Sequence, residues 1–177
     1  MKLAIRSEVQ PPTHCVDGLD EALLGVWEAA CLDYAARYYA AEAVGKSPPR
    51  GVQAQINEQI EEKLTSRGWY GSDGRFVRGK TFLRITFRHQ MSLGSDFMDA
   101  LILANREGME HAIIAAAGMD FAKRITPRDF NSIVTFEKLV PYYTRARPLF
   151  EVPLSIGELL PISSLPSEVE RLINSRR

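Results

Sequence analysis

Between Gly74 and Ser95 the chain carries no acidic residue, yet it places Arg75, Arg78, Lys80, Arg84 and Arg88 there, with His89 and Gln90 alongside. Thr81 to His89 alternates in polarity. Leu83, Ile85 and Phe87 fall on one side, and Arg84, Thr86 and Arg88 on the other, the period of a strand with one buried face. A guanidinium fork matches phosphate oxygens, and each phosphate neutralised releases counterions. The chemistry this pattern offers is therefore anion binding, with Arg75, Arg78, Lys80, Arg84, Arg88 and His89 as the candidate phosphate-contacting residues. The same alternation also suits a solvated strand face or a charge-protected edge, and the pattern alone leaves both readings open.

Other reactive side chains form no constellation. His14, His89 and His111 are scattered without metal-ligand spacing, and His111 at the head of an apolar run reads as structural. Ser92 and Ser95 have no base partner in view, so nucleophilic catalysis has no support. Glu58 reads as a helix charge favoured by the dipole, Asp73 as a turn residue and Asp96 as a helix cap. Cys15 and Cys31 make no redox or metal pair, and no glycine-rich phosphate loop is present.

The elements expected to carry these residues follow from periodicity and punctuation. Leu3 to Val9 reads as an opening strand ended by Pro11-Pro12. Gly18 to Val44 reads as one helix, with Leu19, Leu23, Val26, Trp27, Ala30, Tyr34 and Tyr38 in one stripe. Tyr39 belongs to the same run of aromatics, which suits the core or, in part, a subunit contact. Val52 to Ser66 is a second helix, with Gly68 as its left-handed cap. Gly71 to Gly74 forms a turn, followed by strands at Arg75–Val77 and Thr81–His89. A helix runs from the Gly94-Ser95-Asp96 cap to Arg106. Ala112–Ala117 is a buried strand, Ser132–Tyr143 a helix and Val152–Ile156 a last strand. Pro161 and Pro166 introduce a polar tail ending Asn174-Ser175-Arg176-Arg177. Residues 1–177 form one α/β domain, a central mixed sheet flanked by helices, with the polar tail from about residue 161.

Two segments carry a family likeness. Ile56-Asn57-Glu58-Gln59-Ile60-Glu61-Glu62-Lys63-Leu64-Thr65-Ser66-Arg67-Gly68-Trp69 resembles the second helix of the BglII/BstYI restriction endonucleases, where an Asn-Glu pair opens an amphipathic helix closing in Lys/Arg-Gly-Trp. Arg75-Phe76-Val77-Arg78-Gly79-Lys80-Thr81-Phe82-Leu83-Arg84-Ile85-Thr86-Phe87 resembles the family stretch Asp-Phe-Val-Lys-Asp-Arg, three apolar residues, then Glu-Val-Gln-Phe, in phase and without a gap. The family's Asp-Leu helix start then falls on Asp96-Phe97. Weaker echoes lie at Met1-Lys2-Leu3, at Ser132–Glu137 and at Val152–Gly157. The resemblance implies the restriction endonuclease-like (PD-(D/E)XK) fold of the BamHI/BglII/BstYI type, double-stranded DNA as partner and a two-fold homodimer.

The same resemblance marks a departure. The family holds Mg²⁺ with an Asp, a Glu nine residues on and a Gln two further; those positions here are Arg75, Arg84 and Thr86. Mg²⁺ requires oxygen ligands, whereas a guanidinium has no lone pair to give and stays charged. The expectation is therefore a protein that binds DNA without cutting it, needs no cofactor and keeps Asn57 and Glu58 as relics. Two alternatives stand beside it. In one, an active Mg²⁺-dependent endonuclease rebuilds its site from Glu58, Asp73, Asp96 or Asp99. In the other, the fold serves as a protein-interaction subunit that binds no DNA.

Bulk properties set limits on all three. The 177 residues are 45% hydrophobic and 25% charged, with 22 basic and 22 acidic side chains. Zero net charge provides no global attraction to nucleic acid, so any must come from a local patch. Met1-Lys2-Leu3-Ala4-Ile5-Arg6 is charged too early for a secretory signal, and no apolar run nears the roughly 20 residues of a membrane span. A cytoplasmic protein is expected.

Overall fold

The computed structural model describes residues 1–106, 108–127 and 129–175. Six strands form one mixed sheet: β1 (Lys2–Ile5), β2 (Tyr70–Ser72), β3 (Arg75–Arg78), β4 (Thr81–Thr86), β5 (His111–Ala117) and β6 (Leu154–Leu160), in spatial order β1-β6-β5-β4-β3-β2. β2, β3 and β4 make an antiparallel meander, β4, β5 and β6 run parallel, and β1 returns antiparallel to β6. From Ala112 onward β5 is apolar because it lies at the middle of the parallel part with both faces covered.

Helices cover the two faces. On one side α2 (Leu19–Leu23), α3 (Val26–Ala43), α4 (Gln53–Ser66), α6 (Met119–Ile125) and α8 (Ser167–Asn174) bury Trp27, Tyr34, Ile56, Leu64, Phe121 and Leu172 against Leu83, Ile85, Ile113 and Leu159. On the other, α5 (Leu93–Arg106) and α7 (Phe136–Ala146) bury Phe97, Ala100 and Leu139 against Phe82, Ile114 and Ile156. A single-turn α1 (Thr13–Val16) precedes α2. The α/β architecture with a mixed sheet between helices is as expected. Among the described residues no helix is long and apolar enough to cross a membrane.

Several boundaries differ from the sequence reading. The long first helix breaks at Leu24–Gly25, where Gly25 has φ +78°. The turn at Gly71–Gly74 is a tight hairpin. Tyr70–Ser72 pairs with β3, and only Asp73 and Gly74 turn the chain, both at positive φ (51° and 74°) as a two-residue hairpin requires. The opening strand stops at Ile5, and the strand expected to reach His89 stops at Thr86. β6 begins at Leu154 and extends to Leu160, four residues past Ile156.

The segment from about 161 is not a plain polar tail. Val169, Leu172 and Ile173 share one face of α8 and are buried beside α3, while Tyr39 donates to Glu168 at 2.8 Å. Three apolar residues in a polar octet made too short a stripe to stand out. Arg176 and Arg177, at the end of that expected tail, lie outside the described residues.

Candidate functional site

β4 positions the site. Its alternation suggested one solvated face, but α5 lies over that face, so the strand is buried on both sides and Arg84 is 1% exposed. A buried guanidinium requires partners, and α5 supplies the main one. Asp96, fully buried, accepts from Arg84 at 2.6 Å and from Arg88 at 3.1 Å through Oδ1, and from the Thr86 hydroxyl at 2.7 Å through Oδ2. Arg84 also donates to the Asp73 carbonyl at 2.7 Å. The Thr86 hydroxyl accepts from the Arg88 amide at 3.4 Å. Both oxygens of Asp96 are thus engaged by residues of β4 and its extension. Burial pulls the Arg84 pKa below its ordinary value, Asp96 opposes this, and Arg88 and Arg75 add to the lowering. The group remains a cation at any working pH.

Asp96 is therefore not the cap it was expected to be. α5 begins at Leu93, three residues earlier, so Asp96 sits in the first turn with its side chain turned inward. The signal was present in the sequence. Asp96 shares the helical stripe of Leu93, Phe97, Ala100 and Ala104, all buried, and a carboxylate in such a stripe demands a buried cation.

Arg75 and Arg84 are direct register partners across β3 and β4. Together with Arg88 they line a cleft of about 990 Å³. Its opposite wall is α4, which contributes Asn57, Glu58, Glu61 and Glu62, with Asp73 at the hairpin end. Arg75 lies 3.6 Å from Asp99, both partly exposed. Glu58 is held by a two-pronged pair with Arg37 of α3, at 3.1 and 2.5 Å. The cleft wall thus carries cations on the strands and carboxylates on the helix.

The expected basic set therefore divides. Arg75, Arg84 and Arg88 share the cleft. Arg78 and Lys80 lie at the other end of the hairpin, where Arg78 stacks over Trp69 at 5.0 Å and donates to the carbonyls of His14 and Asp17. Lys80 binds Glu110 at 2.7 Å. His89 accepts from the Met91 amide at 3.3 Å, outside the cleft. Of the three basic cleft residues, Arg75 and Arg88 are half-exposed and Arg84 is sealed. Sequence reasoning missed Glu61 and Glu62 as cleft residues, because which face of α4 meets the sheet edge is set by packing.

A metal does not fit here. Arg75 and Arg84 offer no lone pairs, Thr86 already donates to Asp96, and both oxygens of Asp96 are engaged, one of them by two guanidinium groups. Among the described residues no group of three or more His, Cys, Asp or Glu side chains is placed to hold a metal ion. Glu58, Asp73, Asp96 and Asp99 are separately engaged or spread around the cleft and do not gather at one point.

The chain matches no protein-family model and no curated protein.

Proposed function

We propose that this chain is a non-cleaving relative of the BamHI/BglII/BstYI-type restriction endonucleases, acting in the cytoplasm as a two-fold dimer that binds duplex DNA in the cleft between α4 and the β3–β4 hairpin. One observation carries the reading. Arg75 and Arg84 stand side by side on the sheet wall of the cleft, at the positions where the resemblance places metal-binding carboxylates, and Arg84 is already neutralised by Asp96. The internal guanidinium occupies the carboxylate that a metal would otherwise use. Phosphate contact then falls to Arg75 and Arg88, which reach solvent, and not to Arg84. The two free cysteines, Cys15 and Cys31, are buried and suit a reducing compartment.

The test is gel-shift titration of duplex DNA over a salt series, beside plasmid incubation with Mg²⁺ or Mn²⁺. Retention should fall steeply with salt, without nicking. Arg88→Ala should weaken binding to all sequences alike and lower the slope of log affinity against log salt by about 1. Absence of salt-sensitive retention of any duplex would remove the DNA reading. Nicking that disappears in Glu58→Ala would instead favour a rebuilt metal site.

A second reading has its own support. Glu58, Glu61, Glu62 and Asp73 line the same cleft and repel phosphate. They favour a basic peptide segment as occupant, which makes the chain a protein-interaction subunit. Substituting Glu61 and Glu62 with Gln separates the two: DNA retention should rise if DNA is the ligand, and peptide binding should fall if a basic segment is.

A further inference from the structure

His111 opens β5 and is 1% exposed. Its Nε2 lies 2.8 Å from the Ser155 hydroxyl of β6, which in turn lies 2.7 Å from the Val9 carbonyl. A serine hydroxyl has one hydrogen to give. The Val9 carbonyl can only accept, so that hydrogen belongs to Val9 and the imidazole must donate through Nε2. The neutral ring then keeps its lone pair on Nδ1, which is buried and makes no hydrogen bond.

The same cluster holds down the segment after β1. The Val9 carbonyl also accepts from the Ser7 hydroxyl at 2.8 Å, and that hydroxyl accepts from the Ile156 amide at 3.2 Å. The Gln10 side chain closes the loop by donating to the Ser7 carbonyl at 2.8 Å. Glu8 and Gln10 are exposed and Val9 is half-buried, so little apolar burial fixes the segment. Its attachment to β6 is mainly polar, through Ser7 and Val9, and His111 joins it through the Ser155 hydroxyl.

A proton added to His111 would sit on Nδ1 facing no acceptor and place a charge in the interior. Neighbouring groups do not compensate. His14 of α1 repels that charge. Glu110 is bound by Lys80 at 2.7 Å and stands 3.9 Å from His14. Burial first, and His14 second, hold the His111 pKa below its ordinary value. The nearest relief is to lift the lightly held Ser7–Gln10 segment and admit water to the ring.

We propose that His111 is a proton-sensitive latch: the neutral ring keeps the Ser7–Gln10 segment on β6, and the protonated ring lets it go. The released form takes up its proton at the ordinary histidine value of about 6.5, the latched form only at lower pH. The latch is therefore at full strength above about pH 6.5 and weakens as pH falls below it.

Amide hydrogen exchange across residues 6–16, corrected for intrinsic rates, reads the latch directly. Between about pH 7.5 and 5 the opening of this segment should rise by up to about tenfold per unit once below 6.5. In His111→Gln, which keeps a donor but cannot charge, opening should be flat with pH. No rise in the wild-type protein, or an equal rise in His111→Gln, would overturn the proposal. Ring-nitrogen NMR of the unaltered protein gives an independent check: His111 should carry its neutral-state proton on Nε2 and titrate below 6.5. A neutral proton on Nδ1, or titration at or above the ordinary value, would also overturn it.

Discussion

Arg84→Ala is expected to destabilise the protein by about 3–5 kcal/mol, the cost of leaving one partner of a buried ion pair without the other. Asp96 is fully buried, and Arg84 supplies its closest contact, at 2.6 Å. The substitution leaves that carboxylate with only Thr86 and a half-exposed Arg88, and it frees the Asp73 carbonyl. For a chain of this size each kcal/mol corresponds to about 2–4 °C in Tm, so thermal unfolding should move down by roughly 10 °C. Asp96→Ala should cost a similar amount for the mirror reason. The informative variant is the double one, Arg84→Met with Asp96→Leu, which removes both charges and puts apolar side chains of similar length and branching in their place. It should recover most of the loss, since a buried pair replaced as a unit is often neutral or better. Additive losses in the double variant would show that the two side chains act independently and would break the account of the site given above. The same logic makes Arg84 unsuitable as a probe of DNA contact: its removal changes the fold of the cleft, whereas Arg88→Ala leaves Arg84 and Thr86 on Asp96.

Gly74→Ala should be nearly as damaging although it adds a single methyl group. Gly74 has φ +74°, and an added Cβ would lie 2.0 Å from the Ile85 carbonyl oxygen, backbone that cannot swing aside. The positive φ alone costs about 1–3 kcal/mol for a residue with a side chain. The clash further requires the hairpin to move, breaking the Ile85 amide to Gly74 carbonyl hydrogen bond of 2.8 Å. It also draws the neighbouring Asp73 carbonyl away from Arg84. A loss of about 3 kcal/mol or more is expected in urea unfolding. Gly79→Ala is the control. Gly79 turns the next hairpin at φ +57° with nothing within 4 Å of its added Cβ, so only the conformational cost of about 1 kcal/mol applies. Equal losses at the two glycines would mean that the approach of β4 to the Asp73–Gly74 turn plays no part in building the site.

Much of the frame was legible in the residues. The all-apolar Ala112–Ala117 run read as an interior strand, the inward stripe of α4 was periodic, and Gly68 ended that helix at positive φ as a left-handed cap. The three arginines of the site were also legible, since the strand alternation put Arg84 and Arg88 on one face, and Arg75 shares their cleft. These features depend on local periodicity and on the conformational limits of glycine, both of which act within a few residues.

What the sequence could not decide was what covers each face. A strand with polar residues at every second position has the same pattern whether water or a helix lies over it, and only the packing of α5 on β4 made Arg84 a buried cation. That packing paired it with Asp96, twelve residues away, and turned an apparent phosphate ligand into an internal counter-charge. Likewise the α4 carboxylates became cleft residues only when the helix met the sheet edge, and α8 became core only against α3. Charges act through space in a low-dielectric interior, so their meaning depends on neighbours brought together by tertiary structure and not on spacing along the chain.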